Sequence, residues 1–112
     1  MPHYMLTIYR DEAAAAQVDP SEVSAHYQRF MQRHAAALRG GAALGPGSTG
    51  RSVRPDGSGG HAITDGPFAE TKEVLGGYYV VEAADLEEAV SIAREVPAHH
   101  GGVEVRPIRI MS

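Results

Sequence analysis

The chain has 112 residues, a formal charge of −4, no cysteine and an apolar fraction of 43%. That size suits one modest core, so residues 1–112 are read as a single domain. Disulfides and thiolate chemistry are excluded, and a negative charge with no compensating basic block argues against nucleic acid or an anionic membrane as partner. No stretch approaches the roughly 20 apolar residues of a membrane span, and Met1-Pro2-His3-Tyr4 lacks the order of a signal peptide. A cytoplasmic protein is therefore expected, with a small molecule or another protein as its partner.

His3 to Arg10 reads as the first strand, with Tyr4, Leu6 and Ile8 on one face and Met5, Thr7 and Tyr9 on the other. Both faces are largely apolar, so helices on one side leave the other in need of cover, which hints at a dimer. Asp11 to Ala16 is ambiguous. Asp19-Pro20-Ser21-Glu22 is a helix start: Asp19 caps, Pro20 takes the first turn and Glu22 closes a capping box. The helix is expected to run to about Arg39, where Gly40-Gly41 ends it, with Val23, Tyr27, Phe30, His34 and Leu38 forming one stripe.

Ala42 to Gly60 is rich in glycine, with extended pieces at Ala43-Leu44 and Ser52 to Arg54 and a turn at Pro55-Asp56-Gly57. A weakly patterned hairpin returning through His61 to Thr64 is preferred over a low-complexity linker. Gly77 to Ala83 is a strand. Asp85 then caps a second helix carrying Leu86, Ala89, Val90, Ala93 and Val96, with Glu88 completing a capping box and Pro97 as the stop. Val103 to Ile110 is the last strand, which Pro107 places at an edge or a bulge. The order predicts an α+β, ferredoxin-like split βαβ sandwich, an antiparallel sheet with two helices on one face.

The segment Asp65-Gly66-Pro67-Phe68-Ala69-Glu70-Thr71-Lys72-Glu73, followed by Gly76-Gly77-Tyr78-Tyr79, resembles the signature of DGPF proteins, a branch of the YCII-related family. The resemblance extends to Leu86-Glu87-Glu88-Ala89 and to Val103-Glu104-Val105-Arg106-Pro107, nearly the whole chain. It implies a ferredoxin-like subunit that forms a homodimer through its sheet, the dimeric α+β barrel arrangement. Family members are often encoded beside sigma factors of the extracytoplasmic-function group, which suggests a regulatory setting. In the wider family a histidine early in the first helix is proposed to act with an aspartate. The histidine maps onto His26, whereas the aspartate's place near the helix end is taken by Ala35-Ala36-Ala37.

Drawn as a helix, His34 falls near the middle of the apolar stripe and His26 at its margin. His34 is thus read as a partly buried core histidine with a local hydrogen bond, and His26 as a boundary imidazole able to transfer protons near neutral pH. Asp65 is its candidate catalytic partner. Glu70, Lys72, Thr71 and Tyr78 are candidate substrate-binding groups, because a polar loop between two strands, held by Gly76-Gly77, is what binding loops look like. The structural alternative makes Asp65 a turn former on its own backbone amides and Phe68 a core plug. No histidine pair has the spacing of a zinc site, and Gly45 to Gly50 lacks the Lys-Ser/Thr ending of a phosphate loop, so neither a metal nor a cofactor is expected. Three readings stay open: a small-molecule enzyme using His26, a non-catalytic dimeric ligand-binding or regulatory module, and a folding motif.

Overall fold

A computed structural model describes residues 1–68 and 71–109. Strand β1 (His3–Asp11) leads into a single helical turn, α1 (Glu12–Ala15), and then helix α2 (Pro20–Arg33). Strand β2 (Leu38–Ala43), a 3-10 turn at Gly47–Thr49, and strands β3 (Arg51–Pro55), β4 (His61–Asp65) and β5 (Glu73–Glu82) follow. Helix α3 (Leu86–Ala93) and strand β6 (Gly101–Pro107) complete the order.

β2, β5, β1 and β6 lie side by side in that order and form one antiparallel sheet. This is the strand order of a ferredoxin-like α+β fold, with β3 and β4 paired separately as a two-stranded hairpin. β6 is an edge strand, which accommodates Pro107 at its end, where one donor is missing. The hairpin turn is organised by Asp56, whose Oδ1 accepts the backbone N–H groups of Ser58 (2.9 Å) and Gly60 (3.2 Å).

Strand alternation sorts β1 as its residue pattern dictates. Tyr4, Leu6 and Ile8 are buried and meet Phe30 of α2, Ala89, Ile92 and Ala93 of α3, and Val81 of β5 in one core. Phe30 lies 5.1 Å from the Tyr79 ring, centroid to centroid, which joins α2 to β5. Both helix starts are capped by aspartate. Asp19 accepts from the Ser21 N–H at 2.9 Å and the Ser21 hydroxyl at 2.8 Å, and these bonds hold its carboxyl below the usual range. Asp85 accepts from the Glu88 N–H at 2.9 Å. The Ala84 N–H donates to the Glu88 carboxylate at 3.3 Å, one residue outside the usual capping box.

α2 is shorter than its periodicity suggests, ending at Arg33 instead of near Arg39. Leu38 has already left the helix and stands opposite Val81 in the sheet. The chain must turn at His34 to reach the free edge of β5, and Arg39 then fastens β2 to Glu82 with Nε and Nη2 at 2.9 and 2.8 Å. His34 packs on Phe30 with ring centroids 5.0 Å apart. Its hydrogen bond is not local: it joins Glu95, beyond the end of α3, and Arg33 approaches the same carboxylate at 3.1 Å.

Candidate functional site

The helix-facing row of β1 continues past Tyr4, Leu6 and Ile8 to Arg10, so the fourth position of an apolar row carries a guanidinium. Here the chain between α1 and α2 and the turn at Pro97 to His100 stand off the sheet, leaving a cleft of about 300 Å³. Ile8, Val18, Val23 and Ala98 make its walls apolar, while Arg10, Ser24, Tyr27 and His99 bring polar groups to it. A second lobe of about 390 Å³ shares Ile8, Arg10, Val23, Ser24 and Tyr27 and extends under Met31 toward β2 and β5.

Arg10 is positioned by the absence of a side chain on β5. The register of β1 against β5 slips between Ile8 and Tyr9, so that Gly76 is the extra residue of a bulge. A Cβ on Gly76 would stand 2.6 Å from Arg10 Nε, so glycine lets the guanidinium lie across the strand. Arg10 Nη2 donates to the Gly76 carbonyl at 3.5 Å. Burial pushes the Tyr27 phenol up, with the Arg10 charge opposing it, and burial followed by Tyr27 raises Tyr79. Both phenols therefore remain O–H donors at neutral pH.

At the rim, His99 Nε2 lies 3.4 Å from His26 Nδ1, with the two rings 5.5 Å apart and tilted. His26 is half-buried and His99 exposed. The turn that carries His99 is fixed to β1, because the Asp11 N–H donates to the His100 carbonyl at 2.8 Å, and His100 adopts φ 64°.

Asp65 ends β4 on the hairpin, with its side chain 91% exposed and 3.6 Å from Arg51 Nε. Among the described residues no hydrogen bond or ion pair joins Asp65 to His26. The turn chemistry there belongs to other groups: Gly66 has φ 87°, its N–H donates to the Gly50 carbonyl at 2.9 Å, and its carbonyl accepts the buried Ser52 hydroxyl at 2.6 Å. Phe68 is not a core plug, since it is 63% exposed and lies under the Arg54 guanidinium at 4.3 Å.

Glu70 lies outside the described residues. Thr71 donates to the Glu73 carbonyl at 2.6 Å, a local bond that shapes the loop end. Lys72 Nζ is 3.8 Å from Asp11 Oδ2, which brings the loop to the end of β1 beside Arg10. Tyr78 borders the second lobe, although alternation turns its ring to the sheet face opposite Tyr79. Among the described residues no group of three or more His, Asp or Glu side chains is arranged to hold a metal ion. Neither Arg10 nor His99 stands among the site residues expected from the sequence. The signal for Arg10 was a charge in phase with three inward apolar residues.

The fold and cleft define a small ferredoxin-like α+β protein with a cationic pocket between its first long helix and its sheet. The family model of the YCII-related domain matches residues 2–112, and the chain belongs to that family. It is 32% identical to an uncharacterised protein of Rhizobium meliloti (strain 1021), over 96% of this chain and 92% of that one.

Proposed function

We propose that this protein, a member of the DGPF branch of its family, binds a small organic molecule in the cleft beneath α2 and acts on it by histidine-assisted proton transfer. The observation that carries the reading is the His26–His99 pair. Two ring nitrogens 3.4 Å apart let a proton pass between imidazoles, and the second ring lines the cleft. Lys72 and Thr71 of the loop, together with Glu70, belong to the substrate-binding side of the proposal; Tyr78 joins it only by bordering the second lobe, since its ring turns to the opposite sheet face. Asp65 enters it as an outer charge beside Arg51, not as a hydrogen-bonded partner of His26.

A thermal-shift screen of small organic acids, amides and phenols should find compounds that stabilise the protein. With a stabilising compound that has an acidic C–H, the wild type is expected to catalyse deuterium uptake from D₂O, and His26→Ala to slow it by about 10²-fold or more. Uptake at the wild-type rate in His26→Ala sinks the proton-transfer reading. Binding without any uptake supports the second reading, a non-catalytic ligand-binding or regulatory module linked to a sigma-factor pathway. The favouring observation for that alternative is a cleft that is mostly apolar around one fixed cation.

The protein is further proposed to work as a homodimer joined through the sheet face opposite the helices. Met5, Thr7, Tyr9, Tyr78 and Val80 project there, on the face opposite the core residues Tyr4, Leu6 and Ile8 that α2 and α3 cover. Sedimentation at micromolar concentration is expected to give twice the chain mass; a monomer at that concentration rules the arrangement out.

A further inference from the structure

We propose that the ligand of the cleft is a small monocarboxylate whose carboxyl group docks on Arg10 and whose apolar body lies against Ile8 and Val23. The inference rests on the cleft being the binding site, as proposed above, but it does not require proton transfer. A half-buried guanidinium has five N–H donors and a charge to satisfy. The hydrogen bond Arg10 makes is a long one, 3.5 Å to the Gly76 carbonyl, and Arg10 has no ion pair among the described residues.

The acids that follow it in sequence are engaged elsewhere. Asp11 accepts from the Ala14 N–H at 3.1 Å and faces Lys72, while Glu12 accepts from the Gly47 N–H at 3.1 Å. The planar fork thus remains open to the cleft, and a carboxylate is the small anion that matches it with two parallel bonds. Tyr27 and Ser24 add neutral hydroxyl donors on the α2 side. A volume of about 300 Å³ stands at the small end of ligand pockets, which suits one carboxyl group on a short apolar body.

The test is an amide-resolved NMR titration of the full chain with benzoate, isovalerate and acetate, with benzamide as a neutral counterpart of benzoate. Benzoate is expected to shift the amides of Ile8, Arg10, Ser24 and Tyr27 and to bind roughly 10- to 100-fold more tightly than benzamide. In Arg10→Met that preference should vanish while weak benzamide binding persists; in Arg10→Lys part of it should remain. Equal affinity of the wild type for benzoate and benzamide overturns the proposal, as does a preference that survives in Arg10→Met. If Arg10→Met does not fold, the wild-type preference and the Arg10→Lys titration decide between the same outcomes. If no carboxylate shifts these amides at millimolar concentration, the cleft fails as the ligand site altogether. Benzoate binding with no proton exchange on any ligand leaves the anion site standing and removes only the catalytic reading.

Discussion

Replacing Gly101 with alanine is expected to lower stability by roughly 3 kcal/mol, which for a domain of this size moves the thermal midpoint down by about 10–20 °C. A Cβ at this position would stand 1.9 Å from the Tyr9 carbonyl oxygen and 2.7 Å from Arg10 Cα. Both atoms are backbone of β1, a central strand, so no side chain can swing away to make room. Relief requires β6 to separate from β1 where Arg10 faces Gly101, which disturbs the last pair of that ladder and the His99–His100 turn before it. Gly102→Ala is the matched control. A Cβ there meets nothing within 4 Å, so its change is expected to stay within about 0.5 kcal/mol. Chemical denaturation of the two variants measures the contrast, and equal midpoints contradict it.

Leu6→Ala is expected to cost about 2–5 kcal/mol. Leu6 is fully buried on β1, between Tyr79 of β5 and Val105 of β6, in the core completed by α2 and α3. Truncation there removes contacts with both layers, and the two neighbouring strands are tied by backbone hydrogen bonds that limit collapse into the space. The denaturation midpoint should fall with little change in slope, because the surface exposed on unfolding barely alters. A loss below about 1 kcal/mol indicates that the helices close over the gap and that the core is less rigid than its burial implies.

Those two positions differ in how visible they were beforehand. Leu6 belongs to an unbroken alternation in β1, and such patterns, with the aspartate caps of α2 and α3, made the strand and helix order of a ferredoxin-like fold readable. Gly101 falls before the strand expected from Val103 to Ile110; its intolerance of a side chain comes from a strand 91 residues earlier. The end of α2 was hidden for a related reason. Ala35, Ala36 and Ala37 favour helix by propensity, yet the chain turns at His34 because Leu38 gains a place beside Val81 in the sheet. Propensity is local and strand pairing is not.

The candidate site divides the same way. His26 and the Asp65–Glu73 segment stood out in the sequence as candidates, but their neighbours in space did not. The ring beside His26 belongs to His99, 73 residues away, and Asp65 stands by Arg51 across its own hairpin. Arg10 reads only as the last residue of the first strand. Its inward direction follows from alternation, whereas its freedom to lie flat depends on Gly76, a residue of another strand.

The bulge at Gly76 has a consequence beyond making room for Arg10. One additional residue in β5 changes the phase of its alternation, so the residues leading in from the loop and those leading on to Tyr79 and Val81 keep separate counts. It works as an expansion joint: a change of length or twist arriving from the loop can be taken up at Gly76 before it reaches the core rows. The hydrophobic rows of the sheet therefore keep their facing whatever phase the chain brings in from the loop.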